Sequence, residues 1–204
     1  MAKLYFTYGP MGSGKSREII EFVNANTDST SLIFSSCLDT RFSSNKIASR
    51  NGSSIPCLTF NNETNFINII NEKSIKVIII DESQFLTINQ VNDLIKIVDD
   101  YDIDIRCYGL KSDFKLQLFE SSNQLLILAD EIEELKTLCT CCEKKAILNI
   151  RYSIKESTIG RYKRIMTEGA QVQIGGNDSY MPLCRKCYKK LLDLTNKIEA
   201  KDNQ

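Results

Sequence analysis

Three sets of residues carry side chains at spacings that can do chemistry. The first is "YGPMGSGKS", Tyr8 to Ser16, where Gly9, Gly14, Lys15 and Ser16 fit the phosphate-loop pattern G-x-x-x-x-G-K-[ST]. In such a loop, glycines let successive backbone N–H groups converge on phosphate oxygens. The lysine reaches the β and γ phosphates, and the serine hydroxyl ligates Mg²⁺. The second set is Asp81-Glu82, at the end of the apolar run "KVIIID". A phosphate-loop protein keeps its Mg²⁺-associated acid at this kind of place, which assigns Asp81 to the metal side. Glu82 is then a candidate general base, drawing its proton from water, as in an ATPase, or from a substrate hydroxyl, as in a kinase. An acid pair at a strand end does not separate the two. The third set is a pair of C-x-x-C knuckles, Cys139/Cys142 and Cys184/Cys187. Four soft ligands at that spacing suit tetrahedral Zn²⁺ in a closed structural site, which holds a loop in place and does no chemistry. Cys141 offers a tighter C-x-C alternative, but the matching second pair favours Cys139.

The elements that must position these residues follow from the apolar pattern. Runs rich in β-branched and aromatic residues recur at "KLYFT", "SLIFSS", "IPCLTF", "KVIIID" and "DIRCYGL", the spacing of buried parallel strands. Helical patterns lie between them: Ile19, Ile20 and Val23 share one face, as do Phe66, Ile69 and Ile70, and then Val91, Leu94, Ile95 and Val98. The alternation predicts an α/β fold: a P-loop NTPase-like open parallel sheet with helices on both faces. Cys37, Cys57 and Cys107 fall in predicted strands and are expected to be packing residues. After about Leu138 the character changes to cysteine pairs, polar text with glycines, and the helical tail "RKCYKKLLDLTNKIEAKDN". The expected division is residues 1–136 as a nucleotide-binding domain and 137–204 as a small zinc-ribbon domain with a C-terminal helix.

Composition narrows the function. Lys+Arg and Asp+Glu are equal at 26 each among 204 residues, so the basic footprint of a nonspecific nucleic-acid binder is missing. No apolar run approaches the roughly 20 residues of a membrane span, and a phosphate loop stands where a signal peptide's apolar stretch would be. The expected location is cytoplasmic. Histidine is absent, which leaves carboxylates and thiolates to do any acid–base or ligand work.

Taken together, these pieces resemble the zinc-containing type II thymidine kinases over nearly the whole chain. "GPMGSGKS" resembles that family's phosphate loop, "DTRFSS" its D-T-R-Y-S segment and "IDESQF" its I-D-E-x-Q-F. "YGLKSDFKLQLF" resembles its Y-G-L-x-x-D-F-x-x-x-x-F, and "QIGGNDSYMPLCRKCY" its I-G-G-x-x-x-Y-x-x-x-C-x-x-C. The resemblance implies transfer of the γ-phosphate of ATP to the 5′-hydroxyl of thymidine, with Glu82 as the general base. It implies ATP, phosphate and Mg²⁺ contacts at Gly9, Pro10, Met11, Gly12, Ser13, Gly14, Lys15 and Ser16, at Asp39, Thr40 and Arg41, and at Asp81, Glu82, Ser83 and Gln84. For the nucleoside it implies Met11, Phe85, Leu110, Phe114, Phe119 and Asn149, together with a "lasso" loop contributing Gln171, Val172, Gln173, Ile174, Gly175 and Tyr180. It further implies structural Zn²⁺, a homotetramer and feedback by thymidine triphosphate. Two departures stand out: Gly12 occupies a position that is often bulky in the family, and "ASRNG" replaces a segment that often carries histidine. The rival reading is a P-loop ATPase of the helicase or recombinase type. It requires a basic surface that the neutral charge does not supply.

Overall fold

The computed structural model describes residues 1–26, 30–38, 45–70, 75–157, 160–171 and 179–202. Asp39, Thr40 and Arg41, and the lasso residues Val172, Gln173, Ile174 and Gly175, lie outside the described residues. Contacts divide the chain into two compact units. The first is Met1–Gly9, Gly14–Lys111 and Leu118–Leu135; the second is Pro10–Ser13, Ser112–Gln117 and Lys136–Gln204.

The first unit runs β1 (Leu4–Tyr8), α1 (Lys15–Ala25), β2 (Ser31–Ser36), β3 (Lys46–Ala48), β4 (Ser54–Pro56), β5 (Leu58–Phe60), α2 (Phe66–Ile70) and β6 (Val77–Ile80). A 3₁₀ turn (Ser83–Phe85), α3 (Ile88–Tyr101), β7 (Asp104–Gly109), α4 (Glu120–Leu128) and β8 (Glu131–Glu134) follow. Six strands form one sheet in the order β5-β2-β6-β7-β1-β8. Every pairing within it is parallel. β6 shows why the sheet is covered on both sides. All four of its residues are buried, and successive side chains point to opposite faces. Val77 and Ile79 join Ile19 and Ile20 of α1 in one cluster. Ile78 and Ile80 join Phe66, Val91, Leu94, Ile97 and Leu125 of α2, α3 and α4 in the other. Burying each such isoleucine contributes about 1.5–3 kcal/mol.

Two expectations need correction. "IPCLTF" is not one strand of the sheet: Leu58–Phe60 pairs with β2, whereas Ser54–Pro56 pairs antiparallel with β3 in a separate two-stranded ribbon. Of the three cysteines expected to pack in strands, only Cys107 is buried in one. Cys37 is exposed beyond the end of β2, and Cys57, which does pack half-buried against the Ile19 and Ile79 cluster, lies between β4 and β5.

The second unit contains β9 (Leu148–Ser157), β10 (Gly160–Ile165), β11 (Tyr180–Leu183) and α5 (Arg185–Asp202). β9 is the middle strand of an antiparallel sheet. Ala146, Ile150, Ile165, Met181 and Leu183 make its core with Cys139 and Cys184. α5 is tied to β10 where Thr195 accepts from the Ile165 N–H at 3.2 Å and Glu199 pairs with Arg164. Among the described residues, no helix is long and apolar enough to cross a membrane.

α3 begins with a complete capping box. Thr87 Oγ1 accepts from the Gln90 N–H, and Gln90 Oε1 accepts from the Thr87 N–H. Gln90 does more, because its buried amide also donates to the carbonyls of Asn61 (2.7 Å) and Thr64 (3.0 Å). Thr87→Ala is therefore expected to cost about 1 kcal/mol. Gln90→Ala, which strands two carbonyls as well, should cost about 3 kcal/mol. Urea denaturation checks both, and equal midpoints for the two variants would show that the amide contributes nothing beyond the cap.

Candidate active site and metal centre

The carboxyl ends of β1, β6 and β7 lie side by side and carry the chemistry of the first unit. Open parallel sheets bind ligands at this edge. β1 hands over to α1 through the phosphate loop. Gly14 is the cap of α1 at φ 96°, a left-handed value that disfavours any other residue, and no side chain caps the helix. The first-turn N–H groups of α1 and the helix field are thereby left for an anion. Lys15 is buried at 8% exposure, and its Nζ donates to the Gly9 carbonyl at 2.8 Å, which turns the ammonium back toward the end of β1. Ser16 Oγ stands 3.5 Å from Asp81 Oδ2. That is longer than a good O–H···O bond. Hydroxyl and carboxylate oxygens are the hard donors that Mg²⁺ takes.

Past β6 the backbone turns sharply. Glu82 adopts φ 54°, a left-handed value for a residue with a side chain, and it caps the 3₁₀ turn. The turn is held by Asp81 Oδ1 accepting from the Glu82 N–H (2.9 Å) and by the Phe85 N–H donating to the Glu82 carbonyl (3.0 Å). Asp81, Glu82, Ser83 and Gln84 are all buried. Gln84 Nε2 donates to Glu82 Oε2 at 2.5 Å, and Gln84 Oε1 accepts from the Leu110 N–H at 2.9 Å. Phe85 meets the buried Phe119 edge to face, with ring centroids 6.3 Å apart. Phe119 caps α4, and the Leu110 carbonyl accepts from Ser122 Oγ. Phe85, Leu110 and Phe119 are thus neighbours of the acid pair.

In the second unit, Pro10–Ser13 is held by the Ser13 N–H donating to the Pro10 carbonyl (3.1 Å) and the Met11 N–H donating to Asn149 Oδ1 (2.7 Å). Gly12 has φ 78°. Ser13 Oγ is buried and has no partner among the described residues, so it is a donor available to a phosphate oxygen. Phe114 lies under the guanidinium of Arg151 at 3.8 Å. Arg151 Nε donates to the Tyr180 hydroxyl at 2.7 Å and Nη2 to the Ala170 carbonyl at 3.1 Å. Asp113 accepts from the Lys115 and Gln117 N–H groups through Oδ1 and from Gln171 Nε2 through Oδ2. Reading the sequence assigned no role to Arg151 or Asp113. The available signals were an arginine at a core-facing position of a strand and an aspartate two and four residues before N–H groups that need an acceptor.

Cys139, Cys142, Cys184 and Cys187 bring their sulfurs within 4.8 Å of one another. The Cys142–Cys184 and Cys142–Cys187 separations are 3.7 and 3.5 Å. Four thiolates about 2.3 Å from a tetrahedral zinc lie about 3.8 Å apart, so the donor set fits that ion. Cys141 is exposed and outside the cluster. The thiol chemistry points the same way. Burial alone would raise Cys139, but backbone N–H groups of Cys184, Cys141 and Cys142 and the Cys142 thiol bring it down to about 6. Donation to the Cys142 thiol, then burial, pushes Cys187 up to about 12. A divalent cation bound there would hold all four sulfurs as thiolates.

A phosphate loop at the end of an interior parallel strand, with an acid pair at the end of the strand one beyond its neighbour, defines a P-loop nucleotide-binding protein. Comparison with known proteins narrows this. The family model described as thymidine kinase matches residues 2–188. A thymidine kinase of Enterococcus faecalis is 42% identical over 192 residues, covering 92% of this chain and 95% of that protein. One from Haemophilus influenzae is 40% identical over 196 residues, covering 93% and 97%. One from Pasteurella multocida is 40% identical over 200 residues, covering 95% and 100%. The chain belongs to the thymidine kinase family. For the cysteine cluster, elemental analysis of active protein is expected to give one zinc per chain. Cys142→Ser, which removes the sulfur nearest to two others, should lower that content at least tenfold. Full zinc content in Cys142→Ser would displace the cluster as the metal site.

Proposed function

We propose that this chain transfers the γ-phosphoryl group of ATP to the 5′-hydroxyl of thymidine, giving thymidine 5′-monophosphate and ADP. One observation carries the reading: in a member of the thymidine kinase family, Lys15, Ser16, Asp81 and Glu82 meet at one sheet edge. Gly9, Gly14 and Lys15, with Pro10 to Ser13, would hold the ATP phosphates, and Ser16 and Asp81 would hold Mg²⁺, which neutralises phosphate charge when bound. Glu82 takes the proton of the 5′-hydroxyl as that oxygen bonds to the γ-phosphorus and the bond to the β-phosphate oxygen breaks, releasing ADP. Phe85, Leu110 and Phe119 would border the sugar and base. Met11, Phe114, Asn149, Tyr180 and the stretch 171–175 would read thymine through fixed backbone and side-chain groups, and Asp39 to Arg41 would contact the nucleotide. The reading extends to a division of labour between residues 1–136 and 137–204, a homotetramer, feedback by thymidine triphosphate, and a cytoplasmic enzyme.

The direct test is transfer of label from γ-labelled ATP. Label should appear in thymidine monophosphate, with no more than trace phosphate release when nucleoside is omitted. Rapid hydrolysis without thymidine would instead mark an ATPase. Glu82→Gln keeps shape and removes basicity, and should lower kcat about 10²- to 10⁴-fold while ATP still binds. Near-normal turnover would transfer the role of base to Asp81. Cys184→Ser should raise the KM for thymidine far more than that for ATP, because a zinc-free loop has to be ordered by the nucleoside. Equal rises in both would separate the metal from substrate reading.

A further inference from the structure

We infer that Gln84 is a positioning residue that sets the orientation of Glu82. The inference rests on Glu82 being the base. Its starting point is a glycine. A Cβ on Gly109 would lie 2.5 Å from Ser83 Oγ, 2.9 Å from Gln84 Oε1 and 3.2 Å from the Gln84 nitrogen. The 3₁₀ turn therefore packs directly on the backbone at the end of β7, at a distance that no side chain at 109 would permit. That contact lets the Leu110 N–H reach Gln84 Oε1 at 2.9 Å. A backbone N–H can only donate, so it settles which end of the amide is oxygen. The NH₂ end must then face Glu82, and it donates to Oε2 at 2.5 Å. Gln84 is 4% exposed and Glu82 8%, so water does little of this work.

The consequence for the carboxylate is positional. Its χ angles are fixed by a side chain that is itself locked to the sheet, on a backbone already committed to φ 54°. A base on a floating side chain would sample poses out of reach of the 5′-hydroxyl, and a displacement of about 1 Å costs on the order of 10²-fold in rate. This is a different role from the nucleotide contact that the resemblance implies for Gln84, and it needs no contact with either substrate.

The test is a pair of variants read by kcat and by the KM for each substrate. Gln84→Met fills the space but offers Glu82 no donor and the Leu110 N–H no oxygen. It should lower kcat about ten- to a hundredfold, with both KM values changed less than about threefold. Gln84→Glu keeps the shape and the acceptor for the Leu110 N–H but takes the donor away from Glu82, and it should lower kcat at least as far. If one variant fails to fold, the other decides. Unchanged kcat in either variant, or KM values that rise as much as kcat falls, overturns the proposal. The two readings fail separately. Loss of activity in Glu82→Gln together with unchanged kcat in Gln84→Met leaves the base in place and removes Gln84 from its support. Near-normal turnover in Glu82→Gln removes the base itself.

Discussion

The backbone reversal at Glu82 is the constraint on which the carboxyl edge of the sheet depends. A left-handed residue with a side chain costs about 1–2 kcal/mol relative to ordinary conformations. It persists because β6, buried on both faces, delivers the chain into a turn already bonded at Asp81 Oδ1 and at the Phe85 N–H. The reversal separates two adjacent acids. Asp81 is directed toward Ser16 and Glu82 toward Gln84, so neighbouring carboxylates in sequence have different partners and can take different work. Without it, one would follow the strand's alternation and the other would face the opposite side of the sheet.

The second unit meets a different constraint. Its three strands enclose a small core, and below about 70–80 residues a core alone seldom supplies much stability. Two of the residues in that core are cysteines, and their two partners pack against it. A metal bound there stabilises the fold as well as the site. Arg151 is the complementary device. It is buried, stacked on Phe114 and bonded to Tyr180 and Ala170, and so links β9 to two positions distant in the chain.

What could be read from the sequence was what chemistry requires to be contiguous. The phosphate loop, the acid pair and the C-x-x-C knuckles each need a few residues at fixed offsets, and each was found. The bond between Gln84 and Leu110 spans 26 positions and exists only because the turn packs on Gly109, which no local pattern reveals. "IPCLTF" failed for a related reason, since periodicity gives a strand but not its partner. The chain changes partners at Cys57, next to Pro56, which has no N–H to donate. α4 escaped notice because Ser121 and Ser122 are buried beside Leu125, leaving little apolar period to see. β8 is "EIEE", poor strand material by propensity, recruited because β1 has an open side to pair.

The strand order has a consequence for how the chain comes together. β1 carries the phosphate loop, yet both of its neighbours, β7 and β8, lie near the far end of the first unit. Its amino end is tied by the Ala2 N–H to Asp102 and by the Leu4 N–H to Asp130, contacts spanning 100 and 126 positions. During synthesis β1, made before the other strands of this sheet, therefore waits longest for its hydrogen-bonding partners. Contacts of such long range slow folding and leave an apolar, unpaired segment open to wrong pairings meanwhile. The edge that carries the phosphate loop is therefore among the last parts of the sheet to be finished, because β7 and β8 are the last of its strands to be made.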